Sequence, residues 1–122
     1  MSSLNVTKVA DEADCLLLAV SGTISRDSLM WNEHPEDVLG EGIFSRVVLL
    51  DLSDCDRLDS AGVSWLIRFH RRCEESGGRL VIHSTPPVIA KTLKLLNMGM
   101  LLSLAEDAQA ARQLAASESN GS

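Results

Sequence analysis

Two strand-like runs open the chain, Leu4 to Ala10 and Cys15 to Val20, with the polar stretch Asp11-Glu12-Ala13-Asp14 between them. A link that short joins neighbouring antiparallel strands, so the chain is predicted to begin with a hairpin. Periodicity fades after Gly22. From Ser25 to Ser45 the sequence mixes polar and apolar residues around Pro35, Gly40 and Gly42, and one short helix near Pro35 to Leu39 is the only element expected there.

Val47-Val48-Leu49-Leu50 is an unbroken apolar run ending in Asp51-Leu52. A run with no polar face belongs to a strand covered on both sides, as in the middle of a parallel sheet. Ala61 to Glu75 switches to helical spacing, placing Val63, Leu66, Ile67, His70 and Cys73 on one stripe and Arg68, Arg71, Arg72 and Glu75 mainly outside it. Ser76-Gly77-Gly78 ends that helix as a glycine cap would. A strand over Arg79 to Ser84 follows, and Pro86-Pro87 opens a helix with Ile89, Leu93 and Leu96 on one face and Gly99 at its end. Met100 to Leu104 is expected to form a last short strand, Glu106 to Ala116 a helix with acid in its first turn, and residues 117–122 a disordered tail. Strands linked by crossover helices require parallel pairing with right-handed connections. The predicted fold is therefore α/β: one domain over residues 1–116, with a mixed, mostly parallel sheet of about four to five strands, an antiparallel N-terminal hairpin and helices packed on it.

A length of 122 residues suits one hydrophobic core without a separate catalytic module. Apolar residues make up 45% of the chain, yet no apolar stretch approaches the roughly 20 residues a membrane-spanning helix needs. The opening MSSLNVTK also lacks a signal-peptide core, so a cytoplasmic protein without membrane insertion is expected. The formal net charge is −6, which disfavours nucleic acid as a partner because phosphates repel such a surface. Cys15, Cys55 and Cys73 are far apart and no histidine stands at zinc-site spacing, so they read as core thiols; neither a metal nor any other cofactor is expected.

The segment from Asp51 to Gly62, D-L-S-D-C-D-R-L-D-S-A-G, leads from the buried strand into the first long helix. Chain leaving the carboxyl end of a strand is where α/β sheets place their sites. Either Asp59 or Ser60 can cap the helix, since each offers an oxygen to the free N–H groups of its first turn. Read that way, Ser60 is an ordinary cap contributing about 1 kcal/mol. Read as a phosphoacceptor, it would receive about −1.5 to −2 charges at a helix end that tolerates an anion, beside Asp54, Asp56 and Asp59.

The motifs D-L-S and L-D-S-A-G, the apolar helix after them, then S-G-G-R-L-V-I and the double proline with its leucines, resemble the STAS domains, named for sulfate transporters and anti-sigma factor antagonists. The likeness runs over about residues 4 to 116 and is nearest to the short stand-alone antagonists. It implies partner switching. An anti-sigma factor that is also an ATP-dependent serine kinase would bind the protein while Ser60 is unmodified and release it after phosphorylating Ser60, and a cognate phosphatase would reset the switch. Asp54, Asp59, Ala61 and Gly62 would belong to the docking surface with Ser60. Where the family usually ends its second strand in Gly-Glu-Leu/Ile-Asp, this chain has Gly22-Thr23-Ile24-Ser25, which puts Ser25 in place of an acid near the same surface. A STAS subunit that binds a transport ATPase or a signalling complex without phosphorylation is the other role the resemblance allows.

Other candidates have ordinary explanations. Leu58 stands where a G-x-S-x-G nucleophile elbow needs glycine, so Ser60 lacks the context of a catalytic nucleophile, and no enzyme is predicted. His70 reads as a core histidine; His34 and His83 suggest no acid–base pair; Gly40-Glu41-Gly42 is not a dinucleotide loop. Because Val63, Leu66 and Ile67 fill the stripe, the Trp65 ring is expected on the helix flank, where it would serve either to cover the sheet edge or the Ser25 to Ser45 loop, or to anchor a partner.

Overall fold

The computed structural model describes residues 4–31 and 39–120. Five strands form one sheet in the order β1-β2-β3-β4-β5. They are β1 Leu4–Asp11, β2 Leu16–Ile24, β3 Val47–Leu58, β4 Arg79–His83 and β5 Ser103–Ala105. The first pair is antiparallel and every later pair parallel, so the predicted mixed sheet with its opening hairpin is present. The helices are α1 Arg26–Trp31, α2 Ser60–Glu75, α3 Pro87–Leu95 and α4 Ala108–Asn120, with 3₁₀ turns at Glu41–Ser45 and Met98–Met100.

The apolar run in β3 is buried on both faces. Val48, Leu50 and Leu52 join Leu18, Val20, Leu80 and Ile82 under α2 and α3, which contribute Leu66, Phe69, Ile89 and Leu93. Leu49 points the other way, into a smaller cluster with Cys15, Val81 and the alanines Ala111 and Ala115 of α4. The glycine cap of α2 forms as the sequence suggests. Gly77 takes φ +83°, a left-handed conformation free of penalty only without a Cβ, and Gly78 N donates to Cys73 O at 2.7 Å.

Several boundaries differ from expectation. β3 does not stop at Leu52 but continues to Leu58, paired with β2 as far as Ile24. Its partner register slips twice: Ala19 faces Asp51 while Ser21 faces Asp54, and Gly22 faces Cys55 while Thr23 faces Arg57. Each slip adds one residue to β3, so the buried positions Leu52, Cys55 and Leu58 recur every third residue instead of every second. That spacing hides the strand's second half from a periodicity reading.

α1 has no counterpart among the predicted elements. Its opening is a reciprocal hydroxyl pair in which Ser28 N donates to Ser25 Oγ at 3.2 Å and Ser25 N to Ser28 Oγ at 2.9 Å. The helix expected near Pro35 to Leu39 falls, apart from Leu39, outside the described residues. Leu96 does not join the core face of α3. It is the C-cap residue and is 48% exposed, and Asn97 then takes a left-handed φ of 55° that turns the chain into the 3₁₀ turn at Met98–Met100. This turn delays β5 to Ser103. α4 starts at Ala108, with Asp107 before it rather than in its first turn, its carboxylate accepting from Ala110 N at 2.8 Å. The helix also runs past Ala116 to Asn120, into the stretch expected to be a disordered tail.

Candidate functional site

The site lies where β2 and β3 end side by side and release the chain into α1 and α2. Asp59 caps α2: its Oδ1 accepts from Gly62 N at 2.9 Å. Its Oδ2 accepts from the N–H of Arg26, the first residue of α1, at 3.0 Å, and its own N–H donates to Ile24 O at 3.2 Å. One carboxylate thus ties two helix starts together. Partial burial pushes its pKa up, but the backbone N–H groups of Gly62, Arg26 and Ala61 more than offset this and hold it below the usual carboxylate range.

The choice of cap is thereby decided for Asp59, and Ser60 is left as the first residue of α2, exposed. Among the described residues the Ser60 hydroxyl has no hydrogen-bond partner. Asp54 and Asp56 are exposed on the outward side of the irregular end of β3, where Asp56 accepts from Thr23 Oγ1 at 2.9 Å. Arg26 and Arg57 are exposed as well. Ala61 is half-buried.

Gly62 faces the interior of the domain. A Cβ at this position would lie 2.2 Å from the Ile24 carbonyl oxygen and 2.6 Å from Leu58 Cδ1, so the glycine allows α2 to press on the end of β2. Ser25 is also placed differently from expectation. It is 8% exposed, and its hydroxyl is used within the Ser25–Ser28 pair that starts α1.

For Trp65 the structure favours the covering role over the anchor. This residue is 4% exposed and packs edge-on against Phe69, their ring centroids 5.8 Å apart, while Phe69 meets Phe44 of the 3₁₀ turn at 5.4 Å. Because this turn covers α2 on a second side, the helix buries a face wider than one stripe, including Gly62, Trp65 and Phe69. The Arg72 guanidinium lies 4.0 Å from the Phe44 ring centroid. His70 is at the edge of the buried face, with Nε2 3.0 Å from Glu74 Oε1. His83 is buried in β4, where Nδ1 lies 2.8 Å from Ser84 Oγ and burial lowers its pKa.

The three thiols are buried and free. Burial raises the pKa of each, that of Cys73 to about 12, as suits core thiols and not nucleophiles. Glu12, Asp14 and Cys15 approach within 4.8 Å of one another, the kind of cluster that can hold a cation. Arg112 occupies that position instead, meeting both carboxylate oxygens of Glu12 at 2.8 and 3.1 Å, which lowers the Glu12 pKa and ties α4 to the β1–β2 turn. The link between Asp59 and α1 is the feature a sequence reading misses. The only signal for it is Ser25 and Ser28 at capping-box spacing.

This arrangement of an antiparallel hairpin, a parallel half-sheet and a serine opening the helix after the central strand defines a class of small α/β domains. Solved structures share the fold along most of their length. SpoIIAA, an anti-sigma factor antagonist in its unphosphorylated form, aligns with a TM-score of 0.61 at 15% identity, covering 98% of each chain. A variant of RsbS from Moorella thermoacetica gives 0.65 at 20% identity over 95% of this chain and 97% of its own. An anti-sigma factor antagonist from Mycobacterium paratuberculosis gives 0.64 at 18% identity over 92% and 95%. No curated protein matches the sequence. The family described as the Mlab STAS domain matches residues 7–106, and the chain belongs to this STAS family. No helix among the described residues is long and apolar enough to cross a membrane.

Proposed function

We propose that the protein is a non-enzymatic partner switch of the anti-sigma factor antagonist kind. In this reading it works in the cytoplasm, binds an anti-sigma factor that is also an ATP-dependent serine kinase, and is released when that kinase phosphorylates Ser60; a cognate phosphatase restores it. One observation carries the reading: Ser60 presents an exposed, unbonded hydroxyl at the start of α2, while the neighbouring Asp59 already satisfies the helix end. Phosphorylation would therefore leave the cap in place and alter only the surface.

That change is large for a docking partner. A phosphate beside Asp59, with Asp54 and Asp56 on the same end of the sheet, would meet like-charge repulsion and a desolvation cost on docking. Such costs reach several kcal/mol, and about 1.4 kcal/mol weakens binding tenfold. Titration calorimetry with the kinase should show tight binding of the unmodified protein, weaker binding of Ser60→Asp, and at least about a hundredfold loss on phosphorylation. Equal affinities for all three would overturn the switch.

The buried Ser25 favours a second reading, since the family usually has an acid at that position and here a structural cap replaces it. Under it the same surface docks a transport ATPase or signalling complex whatever the state of Ser60. Phosphopeptide mapping after incubation with kinase and ATP separates the two. Phosphate on Ser60 supports the switch, and an unmodified Ser60 supports the constitutive subunit.

A further inference from the structure

We propose that the cavity between α4, the start of β3 and the β1–β2 turn binds a small neutral aromatic molecule carrying one N–H or O–H donor. Its volume is about 480 Å³, within the range of small-ligand sites. The cavity follows from what α4 turns toward the sheet. Over Leu49 and Val81 this helix places Ala111 and Ala115, with Leu114 only partly buried. Side chains that end at Cβ leave the space above Val47 and Leu49 open, and Cys15 and Ala116 complete the apolar wall. Water over such a surface is readily exchanged for an apolar body. Arg112 lines the cavity without filling it, because its Nη1 and Nη2 are drawn to Glu12 at 2.8 and 3.1 Å.

The rim selects the ligand's polar group. Asp14 and Gln113 are exposed, line the cavity and, among the described residues, make no side-chain hydrogen bond. An ionised carboxylate only accepts, so Asp14 suits a donor, and its charge strengthens the bond. An anion would meet Asp14 and Glu12, which lie within 4.8 Å of each other, while the Arg112 guanidinium is already engaged. A cation would lose its hydration over the apolar floor, whereas Asp14 attracts it equally well from the water outside. A rigid ring enters with little loss of conformational freedom. The cavity lies at the start of β3 and Ser60 follows its end, so this inference does not rest on the phosphorylation switch.

The test titrates ¹⁵N-labelled protein with indole, with 1-methylindole, which lacks the donor, and with indole-3-acetate, which adds an anion. Indole should shift the amides of Cys15, Leu49, Gln113 and Ala115 saturably and bind about three- to tenfold more tightly than 1-methylindole. Indole-3-acetate should bind at least about tenfold more weakly than indole. Asp14→Ala should remove the preference for indole over 1-methylindole without removing binding, an effect that a purely structural role of Asp14 would not produce. Ala116→Phe, which fills the cavity from an exposed helical position, should abolish the shifts while circular dichroism shows the fold intact. The absence of saturable shifts with indole at about 10 mM would overturn the proposal. So would shifts centred outside the cavity, tighter binding of indole-3-acetate than of indole, or an Asp14→Ala variant that still prefers indole.

Discussion

Asp59 and Ser60 are adjacent, yet they divide structure and signalling between them. The Asp59 carboxylate accepts from backbone N–H groups in both α1 and α2, whereas the Ser60 hydroxyl accepts from none. Ser60→Ala should therefore change stability by well under 1 kcal/mol, since surface substitutions away from caps rarely exceed about 0.5 kcal/mol. Asp59→Ala should cost about 1 to 2 kcal/mol, with urea denaturation of both variants as the check. pH offers a second measure. The Asp59 pKa is lower in the folded chain than in the unfolded one, so the folded state binds fewer protons at this site. Its contribution is complete above the unfolded value of about 4 and is lost as pH falls through the folded value. In acid unfolding followed by circular dichroism, Asp59→Asn should lose less stability than the unaltered protein below about pH 4.

Among the elements, the contact between the start of α2 and the end of β2 sets the site's shape. It forms because Gly62 lacks a Cβ, which would otherwise fall 2.2 Å from the Ile24 carbonyl oxygen. That oxygen is backbone and cannot swing aside as a side-chain tip would, so Gly62→Ala must displace a helix or a strand end. We expect a loss of about 1 to 3 kcal/mol, the usual range for overpacking. Partner affinity should fall with it, because the same displacement moves Asp59 and Ser60. Thermal melts and calorimetry on one preparation would check both, and an unchanged melting temperature would mean that α2 does not seat against β2 as described. The strand on the other side of this contact, β3, bends through two register slips so that Asp54, Asp56 and Arg57 face outward while Cys55 and Leu58 remain buried.

At the scale of the whole molecule, stability rests on a sheet covered on two faces, with β3 in its middle. Leu49 is 1% exposed and packs with Val81 and the alanines of α4, on the face opposite the larger cluster of Val48, Leu50 and Leu52 under α2 and α3. A carboxylate at position 49 would be buried without a partner at a cost of several kcal/mol, comparable with the stability of a domain this size. Leu49→Asp should therefore unfold the protein, seen as loss of the cooperative thermal transition. An unchanged melt would sink the two-faced sheet.

Much of this was determined by the sequence alone. The opening hairpin, the doubly buried run at Val47 to Leu52, the glycine stop after α2 and the proline start of α3 all follow from local pattern, because each depends on residues near one another in the chain. Ser60's position at the start of a helix was legible for the same reason. Four features were decided only by tertiary structure. The second half of β3 owes its extended form to pairing with β2, and its every-third-residue burial matches neither the strand nor the helix period. Whether Trp65 is covered or exposed was open in the sequence; it is buried against Phe69, which meets Phe44 of the 3₁₀ turn at Glu41–Ser45. Asp59 rather than Ser60 became the cap, since only Asp59 also reaches the N–H of Arg26, 33 residues away in the chain. Gly62 and Ser25 turned inward because the ends of β2 and β3 lie side by side, a proximity created by the parallel pairing of strands distant in sequence.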